Sequence, residues 1–149
     1  KLTIPRIDLQ PVMSVRGRVT RVVYPAVGDG VGYGMTWRVP RNNIQVATVP
    51  IGYADGLARS LSNRMDVLTR GDRVRQVGNI CMDQFMIAVD TAGTHANKPA
   101  HEIRYGDVVT LIGKDGDQEI TADEMADLRE TINYEVVCNF GARLDKVYI

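Results

Sequence analysis

Short runs in which apolar and polar residues alternate fill most of this chain, and each run is bounded by glycine, proline, asparagine or aspartate. In "VMSVRGRVTRVVYPAV" (12–27), Val15, Val19 and Val22 fall among arginines that face water, the pattern of a long half-buried strand. "IQVATVPIGY" (44–53) is rich in β-formers, and Pro50 confines it to a sheet edge or a strand end. "MDVLTRGDRVRQVG" (65–78) predicts two strands joined at Arg70-Gly71-Asp72. "ICMDQFMIAVD" (80–90) is a more continuous apolar strand, and "DVVTLIGKDGDQEIT" (107–121) predicts a hairpin turning at Lys114-Asp115-Gly116. "VCNFGARLDKVYI" predicts a last strand, and "DGVGYGMTWR" (29–38) predicts a strand interrupted by glycines.

One segment leaves this rhythm. In "TADEMADLRETINYE", Thr121 followed three residues later by Glu124 is a capping-box signature. Ala122, Met125, Leu128 and Ile132 then recur at helical spacing, so a helix is expected near 122–133. Strands at short spacing with one short capped helix predict a mainly β domain, a barrel or a sandwich. "TAGTHANKPAHEIRYG" (91–106) reads as a surface loop, with His95 and His101 solvated in it. No repeat, low-complexity tract or linker divides the chain, so residues 1–149 are expected to form one domain.

Composition narrows the function classes. The 149 residues are 44% hydrophobic and 24% charged, ordinary for a globular domain able to bury a core. Lys+Arg and Asp+Glu balance at 18 each, so no net basic field favours nucleic acid or an anionic membrane. No apolar run reaches the roughly 20 residues of a bilayer span, and "KLTIPRIDLQ" has no secretory apolar region. Cys81 and Cys138 form no disulfide framework, and reduced thiols in a cytoplasmic protein are expected.

Individually, the chemistry-bearing residues leave alternatives open. Tyr33 lies between Gly32 and Gly34, where glycines weaken a strand, so either the backbone kinks there or something approaches it closely. Ala-Asp-Gly within "IGYADGLARS" (51–60) is good turn chemistry. Cys81 and Met82 are soft apolar residues that bury readily. Asp83 among Ile80, Met82, Phe85 and Ile87 needs hydrogen bonds or a cation if it is buried. There is no CxxC pair, HExxH, GxxxxGK[ST] or GxSxG, so zinc sites, P-loops and hydrolase elbows have no support.

Read in order, "GVGYGMTW", "VPIGYADGLARSLSNR", "VGNICMDQFMIAVD", "GDVVTLIG" and "ITADEMADLRETINYEVVC" resemble the C-terminal domain of the bacterial alanine racemase family. The likeness runs from about residue 11 to the end, and its specificity lies in the order of five motifs, with ICMDQ and INYE both intact. Family members begin with a (β/α)8 barrel that carries pyridoxal 5'-phosphate on a lysine. Lys1, Lys98, Lys114 and Lys146 lie outside that lysine's context, so the resemblance implies an excised C-terminal domain.

The resemblance also implies roles. Racemisation removes a proton from one face of an α-carbon and returns one to the other, so two groups on opposite faces suit it. In the family these are the barrel lysine and the tyrosine matching Tyr33. A phenol ordinarily titrates near pH about 10, so near neutrality it serves as a base only where neighbours favour the phenolate. Those neighbours are expected on the absent barrel. Met82 matches the residue whose backbone N–H holds the substrate carboxylate, Tyr53 and Arg59 match the substrate entrance, and Tyr134 matches a cofactor-phosphate ligand. No metal is implied. Asn79 stands where many relatives have arginine, a position assigned to the entrance, and "GARLDKVYI" departs from the usual tail. Partners implied are L- and D-alanine and a second subunit, in a homodimer with shared active sites that supplies D-alanine for peptidoglycan. Rival readings are a racemase of lysine, arginine or serine, a pyridoxal-phosphate decarboxylase, or a β-domain that serves only in binding or dimerisation.

Overall fold

A computed structural model describes residues 10–92 and 102–148. Eight strands form one antiparallel sheet: β1 (Val15–Arg18), β2 (Arg21–Val23), β5 (Ile44–Val49), β6 (Asp66–Thr69), β7 (Asp72–Val77), β8 (Phe85–Asp90), β9 (Val108–Asp115) and β10 (Gln118–Ile120). The order is β1-β9-β6-β7-β8-β5-β2, with β10 also on β9. The two ends of this path, β1 and β2, are joined by only Val19 and Thr20. Val19 N–H donates to Asp107 O (2.9 Å) and Thr20 N–H to Thr48 O (2.9 Å), and Val19 is buried. The sheet therefore curls on itself, although no ladder closes β1 onto β2 among the described residues. The expected half-buried strand of 12–27 is thus two strands with a corner between them.

Inside the curl lies the main core, which includes Leu57, Leu61, Met65, Leu68, Phe85, Ile87 and Leu111. A second cluster occupies the outer face. Val46 of β5, Val77 of β7 and Met86 of β8 pack under Val31 and Val39 of a separate hairpin, β3 (Gly30–Val31) with β4 (Trp37–Arg38). Strands buried on both faces lose the alternation of a half-exposed sheet. This explains the continuous apolar run in "FMIAVD": Phe85, Ile87 and Val89 face the main core, and Met86 and Ala88 face the hairpin. The strand begins only at Phe85, however, and Ile80–Gln84 is loop. Pro50 lies just beyond the end of β5, as its missing donor requires. The β6–β7 turn uses Arg70 (φ 54°) and Gly71 (φ 80°), the left-handed pair that a two-residue hairpin demands. The expected turn at 114–116 falls at Gly116-Asp117, between Asp115 and Gln118.

Two corrections concern the C-terminal third. The helix expected near 122–133 is α1 (Ala122–Arg129), ended by Glu130 in the left-handed region (φ 57°). The strand expected in 137–149 is not formed among the described residues; instead α2 (Asn133–Asn139) follows α1 at once. The β-branched pair Val136-Val137 favoured a strand locally, yet burial of Val136 and pairs from α1 to α2 override that preference. Those pairs are Arg129 with Glu135 (2.7 Å) and Asn133 with Asp123 (2.7 Å).

The capping box is half realised. Thr121 Oγ1 accepts from Glu124 N–H (3.0 Å), but the Glu124 carboxylate pairs with Arg73 of β7. Replacing Thr121 by alanine is therefore expected to lower stability by about 1 kcal/mol in urea unfolding, with Thr121→Ser close to the parent.

Candidate active-site face

Tyr33 is not inside a strand. The hairpin tip is a short 3-10 turn, Tyr33–Met35, and it presents the ring outward with 78% of the residue exposed. The two glycines have an explanation within the protein itself. Gly32 (φ 71°) and Gly34 (φ 75°) adopt backbone angles that disfavour side chains. A Cβ on Gly32 would meet Met86 Cε at 2.7 Å, and one on Gly34 would meet Asn79 Nδ2 at 3.3 Å. Both halves of the sequence alternative hold: the backbone kinks, and its own neighbours approach it.

The loop Gly78–Gln84 gathers the other residues. Asn79 Nδ2 donates to Tyr33 O (2.8 Å), tying this loop to the hairpin tip. The segment "GYADG" lies against the same loop: Tyr53 N–H donates to Cys81 O (3.0 Å) and Ala54 N–H to Met82 O (3.0 Å). Ser62 bridges the third piece. Its hydroxyl accepts from Ile80 N–H (2.9 Å) and donates to the carbonyl of Arg59 (2.5 Å). Asn63 closes the ring by accepting from Gly78 N–H (2.7 Å) and donating to Thr36 (3.1 Å). Buried Gln76 supports it, accepting from Asn63 N–H (2.6 Å) and donating to Val77 O (3.0 Å) and Gly78 O (2.9 Å).

Tyr33, Tyr53, Met82 and Arg59 are thus carried by segments bonded to one loop. Tyr53 and Met82 are half-exposed, so Met82 is not the core residue its apolar character favours. Its carbonyl is taken by Ala54, while its N–H donates to no protein acceptor among the described residues. Tyr134 stands apart on the first turn of α2, exposed. Its helix reaches the cluster at the other end, where Gly56 packs so closely on Asn139 O that a Cβ would stand 2.1 Å away. Beside Tyr134, the Thr131 hydroxyl and then Arg129 hold Glu135 below the usual carboxylate range. His95 and His101 lie outside the described residues. Cys81 and Cys138 are both free thiols.

Arg143 was missed by sequence reasoning. Its Nη2 donates to Asp83 (2.6 Å) and its Nε lies 3.2 Å from buried Asp55, so one guanidinium clips "GYADG" to "ICMDQ". The hydrogen bond donated to Asp83, then the charge of Asp55, raise an Arg143 pKa already far above neutrality. Asp83 is accordingly an exposed, paired carboxylate rather than a buried one. Asn79, assigned to an entrance, is a strut under Tyr33. Neither contact has a periodic signal, and only the tail's lone arginine hinted at the first.

Among the described residues, no group of three His, Cys, Asp or Glu could hold a metal, and no helix is long and apolar enough to cross a membrane. The alanine racemase C-terminal domain family matches residues 12–148. The chain belongs to that family. This chain is 44% identical to an alanine racemase of Cutibacterium acnes over 97% of its own length, but over 36% of the relative's. An alanine racemase of Nostoc is 44% identical over 95% of this chain and 34% of the relative. The solved alanine racemase of Bacillus anthracis with bound L-Ala-P has a TM-score of 0.79 and 39% identity, covering 91% of this chain and 32% of that one. That of E. faecalis gives 0.81 and 40%, covering 93% and 34%. The chain thus spans about a third of the length of the relatives it matches.

Proposed function

We propose that this domain completes the active site of a pyridoxal-phosphate-dependent alanine racemase, with Tyr33 as the acid and base for one face of the substrate α-carbon. The observation that carries the reading is an exposed phenol on a clamped turn, tied through Asn79 to the loop that offers the uncommitted Met82 N–H. Around Tyr33 the described residues supply phenols and a peptide donor but no lysine. Lys114 lies next to the end of β9 and Lys146 in the tail, and neither belongs to the segments that build this face. These residues fit a cofactor brought by another polypeptide segment. Bound there, pyridoxal phosphate would supply the electron sink that acidifies the α-proton.

What this chain contributes is positional. Going from L to D, Tyr33 Oη would take the α-proton from the L face while a group outside this chain delivers one to the opposite face. Going from D to L, Tyr33 would give a proton back to the L face. Met82 N–H would donate a hydrogen bond to the substrate carboxylate, fixing which substituent faces the phenol. Tyr53 and Arg59 would line the approach, and Tyr134 would donate to the cofactor phosphate. In a homodimer each domain would complete the partner's site, an isologous arrangement. The free thiols suit a cytoplasmic enzyme, here one supplying D-alanine for peptidoglycan.

The test joins the domain to its cofactor-bearing segment. The joined protein is expected to racemise alanine in preference to lysine, arginine or serine, and to exchange the α-proton with deuterated water. The isolated domain is expected to do neither. Cofactor absorbance surviving dialysis of the isolated domain would contradict the proposal, as would a preference for a larger amino acid.

A further inference from the structure

The turn that carries Tyr33 cannot hold its own shape. None of its residues is buried, and it contains one internal hydrogen bond, Met35 N–H to Gly32 O (3.2 Å). Met35 also sits in the left-handed region (φ 48°), which costs a side-chain-bearing residue conformational energy. Such a backbone persists only where its surroundings impose it.

Those surroundings centre on two residues, Gly78 and Asn79, with Met86 packed against Gly32 and Asn63 bonded to the Thr36 hydroxyl. Gly78 (φ 74°) lets β7's end lie under the hairpin, where a Cβ would stand 2.6 Å from Val31 O. Gly32 then rests 3.4 Å, measured from its would-be Cβ, from the Asn79 backbone. On the far side, Asn79 is the one side chain among the described residues that bonds a peptide group of the turn. Its donor meets the carbonyl of Tyr33 itself.

We infer that Asn79 is the positioning residue for the Tyr33 phenol: its amide fixes the Tyr33–Gly34 peptide plane and so the direction in which the ring leaves the backbone. The inference rests on the role proposed for Tyr33. A neutral amide does this without adding charge beside the phenol. It is also short enough for Gly34 to close over it, since a Cβ on Gly34 would meet Nδ2 at 3.3 Å. Asn79 touches neither substrate nor cofactor in this scheme and acts only through Tyr33.

The experiment uses the full-length, cofactor-loaded enzyme with Asn79→Asp, which keeps the size but turns an acceptor toward the carbonyl, and Asn79→Ala, which removes the donor. For both, kcat is expected to fall about tenfold with KM within about twofold, as for a displaced catalytic group. The primary isotope effect with α-deuterated L-alanine is expected to rise while that with D-alanine does not. Amide hydrogen exchange of residues 32–36 is expected to quicken about tenfold while β8 stays protected. Unchanged exchange in the turn, or an isotope effect that rises equally from both isomers, would overturn the inference. So would loss of β8 protection, which would mark a purely structural role. Failure of the Tyr33 assignment is separable: Tyr33→Phe would then retain turnover, whatever the Asn79 variants do.

Discussion

Tyr33→Phe in the full-length enzyme is expected to lower alanine turnover by about 10²–10⁴-fold, the usual scale for removing a positioned proton carrier. The substitution is clean because the ring is exposed and the turn is held through backbone groups. Met35 N–H to Gly32 O and Asn79 to Tyr33 O both survive loss of the hydroxyl. Folding stability is therefore expected to change by no more than about 0.5 kcal/mol. Cofactor occupancy, read from its absorption band, is expected to stay at the parent level. The two measurements together decide the point. Turnover above about a tenth of the parent would remove Tyr33 from the proton path. A parallel loss of cofactor would make it a binding residue instead.

The exposure of this ring also shows that the kink does not serve to pack the tyrosine into the sheet. What the sequence could not convey is how the phenol is aimed. The Gly-Tyr-Gly triplet signals an unusual backbone, and its positive φ values agree. Yet Asn79, whose amide bonds the carbonyl of Tyr33, lies 46 residues away and looks like a departure from the family motif. The clip between Asp83 and Arg143 spans 60 residues and begins in a tail that reads as variable. Long-range polar pairs leave no period, whereas burial does. This is why β5 to β9 were legible and the struts were not. The last helix failed for a related reason: Val136-Val137 favours strand locally, and only the docking of α2 on α1 reverses it. The five ordered motifs located the pieces of the site, and the Gly78–Gln84 loop explains why pieces so far apart in sequence belong to one face.

Gly52→Ala is expected to be among the most damaging single methyl groups on that face, and one whose damage owes nothing to backbone strain. Gly52 has φ −140° and ψ −164°, extended backbone that alanine adopts freely, so strain in the residue itself plays no part. The obstacle is steric. A Cβ would stand 2.2 Å from Met82 O, 2.3 Å from Cys81 O and 2.4 Å from Met82 C, all of them backbone atoms without a rotamer to move. Relief requires the two loops to part, which breaks Tyr53 N–H to Cys81 O and Ala54 N–H to Met82 O. Two hydrogen bonds at about 1 kcal/mol each plus an overpacking penalty give a loss of about 3 kcal/mol. Because Tyr53 and Met82 move apart in the process, KM for alanine is expected to rise as well, an effect no purely distant destabilisation would produce. Gly71→Ala is the control: its φ of 80° strains an alanine, but nothing lies within 4 Å of the added methyl. It is expected to lose only about 1–2 kcal/mol and to leave KM unchanged. Urea unfolding and steady-state kinetics on both variants separate these outcomes. If Gly52→Ala proved no worse than Gly71→Ala, the two loops would not be pinned together, and Tyr53 would have no fixed place beside Met82.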